Sequence, residues 1–297
     1  MSADGHTASD ITTVCASCGI AEIDDVKLKE CDGCDLVRYC SDECQKNHES
    51  EHDEQCKKRA AELRDELLFR QPECSHRGDC PICCLPLPLG MEKTTIMTCC
   101  SKVICNGCEY ANYKREVELR LDLKCPFCRE PIPKTGEEGG KRLMKRIEAN
   151  DPVAMLSEGA SQYNKGEYIK AFEYLSKAAE LGDADAHCKL AGLYHFGRGV
   201  ERDEEKVIYH WEEAAIGGHP LARYTLGCHE MKNGNDERAN KHWIIAATQG
   251  QDESIKELMK AFKGGDLGKE DLAAALRAHQ AAVNATKSPQ REAAERI

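Results

Sequence analysis

Cysteine is the residue type whose number and spacing in this chain could support chemistry. The 297-residue sequence contains 19 cysteines, and 17 of them lie between Cys15 and Cys128. Cysteines at such density form either disulfides in an oxidising compartment or thiolate ligands for metals in a reducing one. The first residues, MSADGHTASDITTV, lack the basic and apolar regions of a secretory signal, and no apolar run approaches the roughly 20 residues that cross a membrane. We therefore expect an intracellular protein, cytoplasmic or nuclear, whose reduced thiols bind zinc.

The first cysteine cluster contains four closely spaced ligand pairs. Two of the pairs are CxxC motifs, in which one tight turn presents two thiolates to one ion. The other two pairs have i, i+4 spacing, which places both ligands on one helix face. The eight residues are Cys15, Cys18, Cys31, Cys34, Cys40, Cys44, His52 and Cys56. Eight ligands predict two tetrahedral zinc ions.

This cluster resembles a MYND zinc finger over residues 15–56, because CDGCDLVRYCSDECQ is followed by HDEQC. The resemblance implies that the two sites interleave, with Cys15, Cys18, Cys40 and Cys44 holding one zinc and Cys31, Cys34, His52 and Cys56 holding the other. MYND fingers usually carry a tryptophan three residues before the ligating histidine, where this chain has Glu49. The departure bears on the packing of the last helix and on the family's peptide groove. His48 is the alternative to His52 as a ligand.

A second cluster has CPIC at one end, CPFC at the other and CCSKVICNGC between them. Ligand groups in this order resemble a RING finger over residues 80–128, in which a cross-brace holds two zinc ions. The usual RING spacing places a histidine ligand at Lys102, but an ammonium with a pKa of about 10 is a poor zinc ligand at neutral pH. The all-cysteine variant of the family offers another register, in which Cys99 and Cys100 are both ligands.

In that register Cys80, Cys83, Cys105 and Cys108 hold one zinc, and Cys99, Cys100, Cys125 and Cys128 hold the other. Adjacent ligands on one ion require an unusual turn, so the alternative is that Cys99 or Cys100 is a packed thiol. We expect both to be ligands, with Lys102 offsetting the negative charge of the thiolates. Cys74, Cys84 and His76 fall outside the paired pattern and are predicted not to bind metal. The two clusters together predict about four zinc ions per chain.

The resemblance to a RING finger also implies residues that contact a ubiquitin-conjugating enzyme. A RING ligase has no nucleophile and holds the ubiquitin-loaded enzyme in a reactive arrangement. Ile82 lies inside the first CxxC and Pro126 inside the last one, where the family makes its two contacts. Arg129 follows the last ligand, where ligases often place an arginine that bridges enzyme and ubiquitin. A helix over Ala111–Leu123 is expected between the sixth and seventh ligands.

The second half of the chain repeats itself. Leu175, Trp211 and Trp243 recur at steps of 36 and 32 residues, and Gly182, Gly218 and Gly250 recur at the same steps. Periods of this length predict stacked helical hairpins. The unit LAGLYHFGRGVERDEEKVIYHWEEAAIGGH resembles a Sel1-like repeat, a relative of the tetratricopeptide repeat. We expect four such units over residues 151–283, with a degenerate fourth unit as a cap.

The charge of the chain limits its partners. Its formal net charge is −11 at pH 7, which argues against nucleic acid or an anionic membrane as the main partner. The one compact basic cluster, between Lys141 and Arg146, is interpreted as a solvated linker or helix face. Proteins or peptides are therefore the expected partners, together with a ubiquitin-conjugating enzyme if the RING-type module is active.

The predicted fold is mainly α, with two small zinc-stabilised modules followed by an α-solenoid of helical hairpins. The expected segments are a disordered N-terminus (1–14), a MYND-type finger (15–56), a helical linker (57–79), a RING-type finger (80–130), a second linker (131–150), Sel1-like repeats (151–283) and a disordered tail (284–297). The favoured function is a candidate RING-type E3 ubiquitin ligase whose other modules recruit partners, and the alternative is a non-catalytic adaptor. A methyltransferase is disfavoured because the repeats take up the remaining sequence.

Overall fold

The computed structural model describes residues 14–23 and 25–296, which divide after Leu68 into two compact units. Helices dominate the structure, and the fold is mainly α as the sequence predicts. Among the described residues, no helix combines the length and apolar character that a bilayer crossing requires. The segment 1–14, predicted to be disordered, lies outside the described residues except for Val14.

The first unit is built around a two-stranded sheet and one long helix. Strand β1 (Lys29–Glu30) pairs antiparallel with β2 (Arg38–Tyr39), and helix α1 runs over Asp42–Leu68. Its buried apolar cluster consists of Cys15, Leu28 and Tyr39. A core this small needs additional stabilisation, and bound metal is the usual source in domains of this size.

Helix α1 also contains most of the segment that the sequence predicts as a helical linker, 57–79. The helix ends at Leu68, and residues 69–79 carry no helix. Arg59 anchors the second half of α1 by donating to both carboxylate oxygens of Asp35, at 2.7 and 2.9 Å. The linker therefore starts as a continuation of the finger's own helix.

The second unit begins with a zinc-finger-like module. Strand β3 (Thr94–Ile96) pairs antiparallel with β4 (Val103–Cys105), and helix α2 follows directly over Asn106–Glu118. The helix begins five residues before the predicted Ala111, because Cys105 is already extended at its N-cap. It ends before the predicted Leu123, because Arg120 takes a left-handed φ of 52°.

Eight helices of the second unit follow one another as four consecutive pairs over the region predicted to contain the repeats. Their bounds are α4 Pro152–Asn164, α5 Tyr168–Glu180, α6 Ala184–Phe196, α7 Glu204–Ile216, α8 Pro220–Lys232, α9 Asp236–Thr248, α10 Asp252–Gly264 and α11 Lys269–Ala285. Asp151 and Asp183 cap the first helix of their pairs through their carboxylates. The recurring Gly182, Gly218 and Gly250 have φ values of 84°, 83° and 90°, a conformation that favours glycine.

In the first and third pairs, the helices touch through a glycine on the first helix and a large residue on the second. A Cβ added to Gly159 would lie 2.8 Å from Leu175, and one added to Gly227 would lie 2.4 Å from the indole nitrogen of Trp243. Trp243 also donates from that nitrogen to the carbonyl of Tyr224, at 3.2 Å. Close approach at these points explains why the large residues recur at the repeat period.

The segment 131–150, predicted to be a linker, contains helix α3 (Gly136–Glu148). Thr135 caps it by accepting from the amide of Glu138, at 3.2 Å. The basic cluster lies on this helix, where Arg142 pairs with Glu138 at 2.6 Å and Arg146 with Asp151 at 2.6 Å. A helix face laced with ion pairs is the interpretation that the sequence favours for this cluster.

The tail 284–297, predicted to be disordered, contains a short helix in the structure. Helix α12 spans Pro289–Ala294, with Ser288 as its N-cap, and packs against α2. Gly107 lets it approach, because a Cβ there would lie 2.7 Å from the backbone nitrogen of Arg291. The polar composition of the tail suggested disorder, whereas contacts with the zinc-finger-like module give it a place to fold.

Candidate metal centres

The first unit brings the predicted ligands together in two groups. The thiols of Cys15, Cys18, Cys40 and Cys44 form one group, and Cys31, Cys34, His52 and Cys56 form the other. The sheet and helix α1 position them, because β2 leads into Cys40 and α1 carries Cys44, His52 and Cys56 at intervals of eight and four residues, which keeps them on one face of the helix. The two groups interleave along the chain, as the MYND resemblance implies.

His48, the alternative ligand, lies beside the second group and outside it. Its Nδ1 is 3.0 Å from the hydroxyl of Tyr39, and its ring stacks on that of His52 with centroids 5.7 Å apart. Glu49 lines an open groove with Tyr39, Lys46 and Asp53. The position that is usually tryptophan in MYND fingers therefore contributes a charge to this groove.

The zinc-finger-like module holds two further groups, and their members alternate along the chain. Cys80, Cys83, Cys105 and Cys108 form one group, and Cys99, Cys100, Cys125 and Cys128 form the other. The β3–β4 hairpin carries the middle ligands, since Cys99 and Cys100 lie in its turn and Cys105 ends β4. Two groups that interlock in this way form a cross-brace.

The adjacent ligands Cys99 and Cys100 depend on a strained residue beside them. Ser101 has a φ of 55°, in the left-handed region, and is only 6% exposed. The carbonyl of Met97 accepts from the amides of both Cys100 and Ser101, at 3.2 and 2.7 Å. This tight turn brings both thiols into one group, and Arg146 supports it by donating to the Ser101 hydroxyl at 3.3 Å.

Three of the CxxC motifs have the same backbone geometry. In each, the residue after the second cysteine has a positive φ: 74° at Gly19, 53° at Cys84 and 65° at Arg129. The amide of that residue donates back to the carbonyl of the first cysteine, over 2.9, 2.8 and 3.0 Å respectively. Such a turn aims both thiols in one direction, which is the geometry of a zinc knuckle.

The spacing of the ligand atoms fits zinc. A tetrahedral ion with Zn–S bonds of about 2.3 Å has its sulfurs about 3.8 Å apart. The Sγ–Sγ distances in the four groups run from 3.3 Å for Cys99–Cys128 and 3.5 Å for Cys18–Cys40 to 3.9 Å for Cys100–Cys125. In the mixed group Cys34 Sγ lies 3.1 Å from Nε2 of His52. Thiolate-rich tetrahedral groups of this kind select zinc, which would serve a structural role here.

Protonation couples the sites to pH. Burial opposes ionisation of Cys80, but amide donors from Cys105, Cys83 and Ile82 outweigh it and lower the pKa of its thiol to about 7. Burial raises the pKa of Cys100 to about 11. Zinc would have to displace the proton from such thiols, so metal affinity is expected to rise with pH.

The predicted contacts for a conjugating enzyme differ in their surroundings. Ile82 is 39% exposed, as is expected of a contact residue, and Pro126 is half-buried beside the exposed Phe127. Arg129 is folded back: it pairs with Glu116 at 3.2 Å and donates to Asn112 at 3.3 Å. Glu116 is buried, and its other oxygen accepts from the amide of Lys124 at 3.0 Å. Arg129 thus compensates a buried carboxylate.

Sequence reasoning assigned charge compensation to Lys102 and missed Arg291. The ammonium of Lys102 lies over the ring of Phe127, 5.7 Å from its centroid. Arg291, on α12, donates to Sγ of Cys83 at 3.4 Å and to the carbonyls of Leu85 and Pro86 at 3.2 and 2.7 Å. No local sequence signal could have revealed a partner that is 208 residues away.

Comparison with known families identifies two of the modules. The MYND finger family matches residues 15–56, and the Sel1 repeat family matches residues 155–183, 184–219 and 229–251. The chain therefore contains a MYND finger and Sel1 repeats, as the resemblances implied. These matches leave residues 80–128, and the fourth helical pair, to be interpreted from their own geometry.

Two curated proteins share shorter stretches with the chain. Chitin synthase regulatory factor 4 of Schizosaccharomyces pombe is 33% identical over 86 residues, which is 29% of this chain and 14% of that protein. The ERAD-associated E3 ubiquitin-protein ligase component HRD3A of Arabidopsis thaliana is 33% identical over 72 residues, 24% of this chain and 11% of that protein. The chain thus matches only a small part of the length of either relative.

Solved structures with partial similarity are also repeat proteins. A Sel1 repeat protein from Oxalobacter formigenes is 28% identical, with 40% of this chain and 96% of that one covered and a TM-score of 0.37. The antigen c5321 of uropathogenic Escherichia coli, which has an SLR fold, is 22% identical, with 56% and 37% covered and a TM-score of 0.39.

Proposed function

We propose that residues 80–130 form a RING-type module that acts as an E3 ubiquitin ligase, while the MYND finger and the Sel1 repeats recruit proteins. The observation that carries the proposal is the cross-brace, in which two four-cysteine groups interlock around the β3–β4 hairpin and α2. A module of this kind contributes no nucleophile. It accelerates transfer by holding a ubiquitin-loaded conjugating enzyme in a reactive orientation.

The sixteen residues of the four groups are the ligands in this proposal, one zinc to each group. Zinc folds such small modules, so the metal supports function by keeping the binding surface in shape. Thiols that must stay reduced favour a reducing compartment, and we place the protein in the cytoplasm or nucleus. One similar protein has a name that places it in an E3 ligase complex, which agrees with a link to ubiquitin.

Two exposed apolar side chains support a docking face for the conjugating enzyme. Ile82 and Phe127 are 39% and 43% exposed, although each lies inside a CxxC knuckle. Pro126 lies between Cys125 and Phe127 and restricts the backbone of the second knuckle. Apolar side chains held at the surface by a rigid metal site are suited to a transient protein contact.

The second candidate function is a non-catalytic adaptor, and the position of Arg129 favours it. An arginine that bridges enzyme and ubiquitin must be free to reach both, whereas Arg129 pairs with the buried Glu116. Removing Arg129 would leave that carboxylate with Arg115, 3.7 Å away, as its remaining cation. A loss of activity in Arg129→Ala could therefore arise either from lost recognition of the conjugating enzyme or from lost stability of the module.

The test is release of ubiquitin from loaded conjugating enzymes, measured with the full zinc-bound chain across a broad panel of enzymes. We expect the wild type to accelerate discharge for at least one enzyme, and Ile82→Ala to remove about nine tenths of the acceleration because one central apolar contact is lost. Zinc content and the thermal melting curve show whether the variant is folded.

Leu276→Ala is the matched control, because Leu276 is 40% exposed but lies on α11 in the helical repeat region. It should leave discharge unchanged. Absence of acceleration with every enzyme, or acceleration that Ile82→Ala and Leu276→Ala affect equally, would exclude the ligase and leave the adaptor.

A further inference from the structure

The extended segment after α1 meets the repeats at a cluster of buried ionisable side chains. His76 lies on this segment, Asp185 on helix α6, and His219 caps helix α8. One ligand atom from each of the three comes together in a group comparable in size with the cysteine groups. Arg77 and the thiol of Cys188 lie at the same cavity, whose volume is about 340 Å³.

The distances in this cluster match a metal site. Nε2 of His76 lies 3.3 Å from one oxygen of Asp185, and Nε2 of His219 lies 3.3 Å from the other. A tetrahedral zinc with bonds of about 2.1 Å to nitrogen and oxygen has its ligand atoms about 3.4 Å apart. The two imidazole rings are tilted by 34° with centroids 4.5 Å apart, so that both face the carboxylate.

His76 requires a partner that the protein atoms do not supply. Its side chain is 4% exposed, and neither ring nitrogen has a hydrogen-bond partner. Although Nε2 is close to Asp185, the N–H direction does not meet the oxygen as a hydrogen bond would. A buried imidazole in this state is costly, and a cation between nitrogen and carboxylate would satisfy both.

We propose that His76, Asp185 and His219 bind a fifth zinc ion. Two histidines and a carboxylate are ligands that zinc accepts, and three protein ligands leave a fourth position open. Cys188 lines the same cavity. None of the three ligands belongs to the CxxC pattern, which is why spacing alone did not reveal the site.

Two features of the surroundings bear on this site. Arg77 donates to both oxygens of Asp185, at 3.1 and 3.2 Å, and so orients the carboxylate as supporting residues around metal sites do. His219 accepts from the amide of Ala222 through Nδ1, at 3.2 Å, so binding through Nε2 would move its proton to Nδ1 and break this cap. The free energy lost with one helix cap, about 1 kcal/mol, is small compared with the free energy of structural zinc binding.

The cluster joins three parts of the second unit, since its members lie on the segment before Cys80, on helix α6 and at the start of helix α8. The bound ion would connect the segment before Cys80 to two successive helical pairs. It would thereby hold the zinc-finger-like module against the repeats.

The test replaces zinc in the full chain with cadmium and records a ¹¹³Cd NMR spectrum. The wild type should give resonances from the four cysteine-rich groups and one more, shifted well upfield because nitrogen and oxygen donors shield the nucleus. His76→Phe keeps the ring packed on His219 but removes both nitrogens. It should lose the upfield resonance alone, and zinc content should fall from about five ions per chain to about four.

The matched control is His242→Phe, because His242 is likewise buried with both ring nitrogens unpartnered but belongs to none of the metal groups. It should keep the upfield resonance. A wild-type spectrum without that resonance would overturn the proposal, and this measurement needs no variant. Retention of the resonance in His76→Phe would overturn it equally, and the cluster would then be a metal-free ion pair.

Discussion

The register in which Cys99 and Cys100 bind one ion depends on the conformation of Ser101. Two adjacent cysteines can face one ion only if the chain turns sharply after them, and Ser101 makes that turn with a φ of 55°. A non-glycine residue in this region costs about 1 kcal/mol or more. The buried turn, its two amide donors to Met97 and the contact with Arg146 offset this cost.

The residue-scale prediction concerns Cys99. Cys99→Ser should lower the zinc content by one ion per chain, because a serine hydroxyl does not ionise as a thiol does and leaves three ligands in that group. The content is measured by elemental analysis after dialysis. Lys102→His should not abolish metal binding, since Lys102 lies against Phe127.

The control for this substitution is Cys84→Ser. Cys84 is exposed and belongs to none of the metal groups among the described residues, so its variant should keep the wild-type zinc content. If Cys99→Ser retained all its zinc with wild-type affinity, Cys99 would be a packed thiol and the adjacent-ligand register would be wrong.

Spacing in the sequence predicted which cysteines come together, because each CxxC or i, i+4 pair is a local geometry. It did not predict the partners of Arg129 and Arg291. Arg129 is half exposed, as expected for an arginine after a zinc ligand, but its pairing with the buried Glu116 joins residues that no local spacing connects. The role of Arg291 depends on a contact across most of the chain.

At the scale of elements, two of the helical pairs have a close contact between a glycine on the first helix and a large residue on the second. Gly159 meets Leu175 and Gly227 meets Trp243 in this way. The repeat period was visible in the sequence because the large residues must recur wherever two helices cross. The glycines that meet these large residues were not predicted from the sequence, because a glycine within a helix can be there for several reasons.

Gly227→Ala should therefore destabilise the protein. The new methyl group would lie 2.4 Å from the indole nitrogen of Trp243, and overpacking of this kind costs about 1 to 3 kcal/mol. The free energy is measured by urea unfolding monitored through tryptophan fluorescence, with attention to whether the repeats unfold in one transition.

Gly192→Ala is the matched control, because a Cβ at this glycine of α6 would meet no atom within 4 Å. It should stabilise the protein by about 0.5 to 1 kcal/mol, since alanine restricts the unfolded chain. Equal effects of the two substitutions would mean that the contact between Gly227 and Trp243 does not determine the packing of the pair.

For the second unit as a whole, the main departure from the sequence prediction is that segments expected to be linkers or disordered pack against other elements of the unit. Residues 69–79 are not helical, and Phe69 and Gln71 contact the repeats through His242 and Thr248. The tail expected to be disordered forms α12 on the zinc-finger-like module. Composition describes a segment by itself, so it could not predict order that comes from a distant partner.

Removal of Ser288–Ile297 should weaken zinc retention in the group that contains Cys83. The truncation removes the guanidinium that donates to the Cys83 thiol and to two carbonyls beside it. Loss of such supporting contacts typically lowers metal affinity by about tenfold or more. The rate of zinc release to a chelator gives the measurement, and one ion should leave distinctly faster than in the full chain.

Glu295→Gln serves as the control, because it removes the exposed ion pair with Lys93 but leaves Arg291 in place. Its release kinetics should match those of the wild type. Identical kinetics in the truncated chain would show that the contacts of Arg291 do not support the metal site.

The docking of α12 also has a consequence for synthesis on the ribosome. Pro86 and Arg291, which form one contact, are separated by 205 residues. At about 5 to 20 residues per second, the arginine is made roughly 10 to 40 s after the proline. During that interval the nascent zinc-finger-like module has its ligands but lacks the Arg291 guanidinium beside Cys83, so this thiol goes without that contact until Arg291 has been made.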